Sequence, residues 1–129
     1  MLDFTDLEVW KEARVFRNQM RVLIARFPAD EKFRLKDQLL RSSRSITNNI
    51  SEGHGRFHFQ ENIQFCRTAR GSLTESKDHL IVALDSEFIS QSEFDEYMIQ
   101  YEKCIKMLNG YINFLRTEKR KEINKKQRK

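Results

Sequence analysis

Residues 5–28 read TDLEVWKEARVFRNQMRVLIARFP, and the spacing of the apolar residues in this stretch decides the fold class. Leu7, Trp10, Ala13, Phe16, Met20, then Leu23 or Ile24, and Phe27 recur every three or four positions. A helix with about 3.6 residues per turn gathers such positions into one stripe, whereas a strand needs alternation by two. Thr5 stands where an N-cap oxygen is needed. Asp6 and Glu8 follow in the first turn, where the helix dipole favours anions. Pro28 ends the segment, because the residue before a proline is driven out of the helical region. The stretch predicts an amphipathic helix over residues 5–26 with one face to bury.

Three more segments of similar character follow. Asp30 can cap a helix over residues 31–52, with Phe33, Leu35, Leu39 or Leu40, Ile46 and Ile50 as its apolar positions. Gly53 and Gly55, on either side of His54, close it with the left-handed geometry that glycine supplies at a C-cap. A third helix spans residues 59–87, with Ile63, Phe65 or Cys66, Ala69, Leu73, Leu80, Ile81, Ala83 and Leu84 on its apolar face. Residues 88–92 make a turn. Ser90 with Glu93 reads as a capping box, and Ser92 with Asp95 is a second candidate. The fourth helix runs to about residue 116 through Phe94, Tyr97, Met98, Tyr101, Ile105, Leu108, Ile112 and Leu115. Residues 117–129, TEKRKEINKKQRK, lack an apolar stripe and read as a basic tail, a frayed helix or a disordered end. Four helices of about 20 residues with short connections pack most simply as an all-α, antiparallel up-down-up-down four-helix bundle, a single domain over residues 1–116.

The composition excludes several classes. One proline and four glycines leave little room for an all-β or loop-rich fold. No run approaches the roughly 18 apolar residues of a membrane span. The opening MLDFTDLEVW places acids where a targeting peptide carries bases, which points to the cytoplasm. Cys66 and Cys104 fall on different predicted helices and read as a buried, reduced pair. His54 and His58 straddle the Gly53–Gly55 break, and no Glu-x-x-His pair occurs, so a di-iron site has no ligands. No zinc spacing, phosphate loop or Ser/His/Asp arrangement stands out. The expectation is a protein that is not an enzyme and uses neither cofactor nor metal.

Particular motifs carry a family resemblance. Phe4, Leu7, Val9, Trp10 and Ala13 open it, followed by Phe27-Pro28, then Leu35, Gln38 and Arg41. Next come Ser45-Ile46 and the Asn49-Ile50-Ser51-Glu52-Gly53 signature, then Ala69-Arg70-Gly71-Ser72-Leu73 with Glu75, and Met107-Leu108 with Gly110 and Ile112. In these the chain resembles the 23S rRNA intervening-sequence proteins, a family that also includes the accessory variability determinant of diversity-generating retroelements. Thr47, Asn48 and Ser76 depart from the pattern, Ser76 standing where a leucine is common. The resemblance implies a bundle that assembles into a ring-like homopentamer. It also implies, for the retroelement members, basic surfaces that bind nucleic acid and a reverse transcriptase.

The charge is unevenly placed. Residues 1–70 hold 13 Lys and Arg against 9 Asp and Glu, residues 71–115 hold 3 against 8, and residues 116–129 hold 8 against 2. Lys11, Arg14, Arg17 and Arg21 form a basic stripe on the first helix, opposite Trp10, Ala13 and Met20. Arg34 and Lys36 extend it into the second. Lys119, Arg120, Lys121, Lys125, Lys126, Arg128 and Lys129 make the tail a candidate polyanion arm. In a pentamer each feature repeats five times, so weak phosphate contacts add up to avidity. This reading is an oligomeric accessory protein that binds RNA or DNA largely without sequence preference. The other reading is a protein-interaction scaffold of the same fold, docking a partner such as a reverse transcriptase, with no membrane role. Phe57 and Phe59, beside Arg56, are the only aromatics placed to stack on bases, although loop packing explains them more simply.

Arg41, Ser45, Asn49 and Glu52 share one face of the second helix, and Arg70, Gly71, Ser72 and Glu75 form a polar patch on the third. A hydrogen-bonded structural network follows, with Arg41 expected to pair with Glu75 or Glu52. Glycine at position 71, in mid-helix, suggests close helix approach there.

Overall fold

The apolar stripes find one another in a closed square of helices. The computed structural model describes residues 3–31 and 33–128. Among them it forms four α-helices and no strand: α1 (Glu8–Ile24), α2 (Leu35–Gly55), α3 (Phe59–Asp85) and α4 (Gln91–Gln127). Each helix packs on its two neighbours in the order α1–α2–α3–α4–α1, and the backbones of the diagonal pairs stay farther apart. At one end Leu7, His54, Phe59 and Leu115 surround a common notch. At the other the rings of Phe27 and Phe88 meet at 5.7 Å and Arg26 bonds Glu93. Successive helices therefore run up, down, up and down.

The core follows the predicted periodicity, except that Ile81, expected on the apolar face of α3, is exposed. Phe16, Met20 and Leu23 of α1, Leu39, Ile46 and Ile50 of α2, Leu73 and Leu80 of α3, and Leu108 and Ile112 of α4 are all fully buried. Each such side chain contributes about 1.5–3 kcal/mol relative to exposure. Cys66 and Cys104 are free thiols within this core, and burial pushes both up to about 12. Cys104 donates to the Glu12 carbonyl at 3.3 Å, which binds α4 to α1.

The ends differ from the sequence expectation. Asp3, not Thr5, is the first cap. It forms a capping box with Asp6 around a 3-10 turn, Phe4–Asp6, and α1 starts only at Glu8. Asp30 falls within a second 3-10 turn, Ala29–Glu31, and α2 begins at Leu35, whose N–H donates to the Glu31 carboxylate at 3.3 Å. Phe33 lies ahead of α2 and is exposed, so it is not on the apolar face. Ser90 and Glu93 form the predicted capping box.

The glycines also act differently. α2 continues through Gly53 to Gly55, and no glycine has a positive φ. Left-handed backbone falls instead on Phe57 (φ 58°) and Glu87 (φ 63°), in the two connections that flank α3. Gly53 is needed for closeness: a Cβ there would lie 2.8 Å from both the Phe65 Cβ and the Asn62 Oδ1. Gly71 faces open space, so no close approach explains it.

α4 does not stop near residue 116 but continues to Gln127. Lys and Glu are good helix formers, and the pairs Glu118–Lys121 and Glu122–Lys126 sit one turn apart. Lys119 also donates to Gln60 on α3.

Candidate nucleic-acid interface

The α1–α2 boundary gathers arginines. Arg17 and Arg21 lie one turn apart on α1, and Arg44 approaches from α2, around a cleft of about 400 Å³ edged by Asn18, Thr47 and Asn48. Arg17 is half-buried, and its Nη1 donates to Thr47 Oγ1 at 3.2 Å. Thr47 Oγ1 in turn donates to the Arg44 carbonyl, so the guanidinium is aimed by a side chain that its own helix holds. Burial lowers the Arg17 pKa, and the charges of Arg14, Arg44 and Arg21 lower it further. Among the described residues no carboxylate pairs with Arg17, Arg21 or Arg44. Like charges held together without counter-charge favour an anion between them, and a planar guanidinium matches a phosphate with two parallel hydrogen bonds.

The predicted stripe is thus divided. Lys11 pairs with Glu8 at 3.2 Å. The Arg14 guanidinium lies 5.6 Å from the centre of the Trp10 ring, a cation–π contact outside the lining of the cleft. Lys36 sits two i,i+4 steps before Arg44 and shares its ridge, and Arg34 is exposed in the turn before α2. Arg44 was absent from the sequence expectation. Its signal was there: it precedes Asn48 by four residues, away from the apolar stripe of α2.

A second basic cleft, of about 340 Å³, opens between α3 and α4. Lys119 and Arg120 line it with Arg67 and Arg116, neither of which was named as a site residue from the sequence. Beyond it Lys121, Lys125 and Arg128 surround Asn124 on the outer part of α4. Lys126 pairs with Glu122 at 3.6 Å, and Lys129 lies outside the described residues. In the helix order of the bundle the α1–α2 and α3–α4 boundaries are on opposite sides. One chain therefore carries two separate basic regions and not one continuous surface.

The polar network forms only in part. Asn49 Nδ2 donates to the Ser45 carbonyl at 2.8 Å and to Ser45 Oγ at 2.9 Å, and Ser72 Oγ on α3 donates to Ser45 Oγ at 2.9 Å. Arg41 does not join it. Its guanidinium is exposed and 3.9 Å from Asp37, while Glu52 pairs with Arg56 and Glu75 with His79. Helical rotation explains the difference. At about 100° per residue, Ser45 and Asn49 turn roughly 40° and 80° from Arg41 toward α3, but Glu52 only about 20°.

Among the described residues no three metal-ligating side chains cluster, and no helix is long and apolar enough to cross a membrane. No curated protein matches the chain. A crystal structure of a protein with unknown function from the S23 ribosomal protein family of Bacteroides thetaiotaomicron is similar in fold. The TM-score is 0.75 at 22% identity, over 81% of this chain and 95% of that one. The sequence model described as 23S rRNA-intervening sequence protein matches residues 5–110, from the first 3-10 turn into α4. The chain belongs to the 23S rRNA-intervening sequence protein family.

Proposed function

We propose that this chain is a non-enzymatic, oligomeric accessory protein that binds the phosphate backbone of RNA or DNA. The observation that carries the reading is the α1–α2 cleft, where Arg17, Arg21 and Arg44 converge with no carboxylate partner among the described residues. The basic outer part of α4 supplies a second set of phosphate contacts. Contacts from guanidinium and ammonium groups to phosphate carry no sequence information, so binding of this kind is largely independent of sequence.

Assembly into a homopentamer, as the family resemblance implies, would multiply these contacts. A groove of about 470 Å³ between α1 and α4 favours a protein contact of this kind. Val15 and Val22 expose apolar surface there beside Tyr97, and Gln19 Oε1 is buried with no hydrogen-bond partner among the described residues. The same groove supports the second reading, a scaffold that docks a protein partner such as a reverse transcriptase.

Fluorescence anisotropy of the full chain with labelled RNA and DNA across a salt titration tests the proposal. The expected result is tight binding at low salt that falls steeply and similarly for unrelated sequences. No binding at low salt overturns it. Retention of a protein partner by a chain that binds no nucleic acid establishes the scaffold instead.

A further inference from the structure

The notch at the end of the bundle remains unassigned, and it differs in kind from the arginine cleft. It encloses about 350 Å³ and is lined mainly by rings, among them Phe57, Phe59, Tyr111 and Phe114, together with His54 and His58. Two of the rings are strongly exposed, Phe57 at 70% and Phe114 at 55%. Phe57 adopts left-handed backbone, a conformation unfavourable for a side chain of this size, and it presents its ring outward from the α2–α3 connection. Phe114 is stacked on Tyr111, with ring centres 6.3 Å apart and planes inclined by 13°. Tyr111 is held in turn, because Asn62 Nδ2 donates to its hydroxyl at 3.3 Å. The notch therefore has a fixed aromatic wall with an exposed face.

The charge beside it identifies the occupant. α4 continues past Phe114 as one helix. Positions 7, 11 and 14 residues further on return to the same face to within about 40°. They are Lys121, Lys125 and Arg128, which lie together around Asn124. Among the described residues Lys125 and Arg128 have no carboxylate partner, whereas Lys121 holds Glu118 at 3.2 Å. Their rise above Phe114 is roughly 10 to 21 Å, the length of a few nucleotides. An aromatic wall that continues into a row of cations is the pattern that binds a single strand, with bases on the rings and phosphates on the cations. A duplex keeps its bases stacked and has no free ring face to offer.

We infer that this end of the molecule is a single-strand site, in which an unpaired nucleobase stacks on Phe114 and Phe57 and the adjoining phosphates run along Lys121, Lys125 and Arg128. The inference rests on the nucleic-acid reading above and adds to it a preference that the arginine cleft cannot supply.

The test uses the full chain with a short single strand carrying 2-aminopurine and with a duplex of equal length. On binding the native chain, the 2-aminopurine should be quenched. In Phe57→Gly combined with Phe114→Ala, single-strand affinity should fall about tenfold and the quenching should disappear, while duplex affinity is unchanged. Glycine suits the backbone at position 57, and circular dichroism checks that the helices are intact. Phe114→Tyr keeps the ring and should keep the affinity. Equal losses for single strand and duplex, or binding without quenching, overturn the single-strand site and leave the phosphate-binding reading standing. Oligomer dissociation by the double variant, seen by sedimentation together with loss of all binding, assigns the notch to a second copy and overturns it too. Absence of binding to any nucleic acid overturns both.

Discussion

The hydroxyls of Ser42 and Ser76 lie 2.8 Å apart in the buried seam between α2 and α3. Each also reaches a carbonyl of its own helix, Ser42 that of Leu39 and Ser76 that of Ser72. Losing one hydroxyl therefore leaves the other with a backbone partner. Ser42→Ala should cost about 1 kcal/mol in urea denaturation. Ser76→Leu inserts volume where the helices are already in contact and should cost about 1–3 kcal/mol. A neutral Ser76→Leu would mean that the seam can open to admit a larger side chain.

Two glycines should respond in opposite directions. Alanine at position 53 would place its Cβ 2.8 Å from the Phe65 Cβ, so α2 and α3 must part, at a cost of about 1–3 kcal/mol. Alanine at position 71 meets nothing within 4 Å in mid-helix and should gain up to about 1 kcal/mol. Thermal melts of the two variants should move to either side of the native midpoint.

Glu93 gives the fold a pH dependence. The Arg26 guanidinium bonded to it, helped by the Ser90 backbone, pulls its carboxyl from an ordinary 4.5 down to about 2. A depressed folded-state pKa means that the unfolded chain takes up the proton first. The stabilisation is complete above about pH 4.5 and is lost as pH falls toward 2. Glu93→Gln keeps the cap but loses the charge. It should melt below the native chain near neutrality, with the difference closing as the pH is lowered through that window. A difference that is constant down to pH 2 would remove Arg26 as its cause.

The arginine cleft predicts a salt dependence. Arg21→Ala and Arg44→Ala should each weaken binding to unrelated sequences alike. Each should reduce the slope of log affinity against log salt by about 1. Arg41→Ala, exposed and beside Asp37, serves as the control and should leave the slope nearly unchanged. An Arg41 effect equal to that of Arg44 would show that bulk charge matters and the cleft does not.

The sequence by itself determined the four helices, their apolar faces and the cap at Ser90, because these depend on residues a turn apart and on local hydrogen bonds. Its Asn49-to-Gly53 signature also pointed to the family that the match over residues 5–110 establishes. Only the tertiary structure decided which polar residues act together. Arg44 joins Arg17 and Arg21 because α2 lies against α1, whereas Arg41, three residues earlier, rotates away. Gly53 allows contact and Gly71 does not, since closeness is a property of the neighbouring helix. The length of α4 past residue 116 was hidden because a charged segment without an apolar stripe leaves no burial signal. Its support comes from pairs along the helix and from Gln60 on α3.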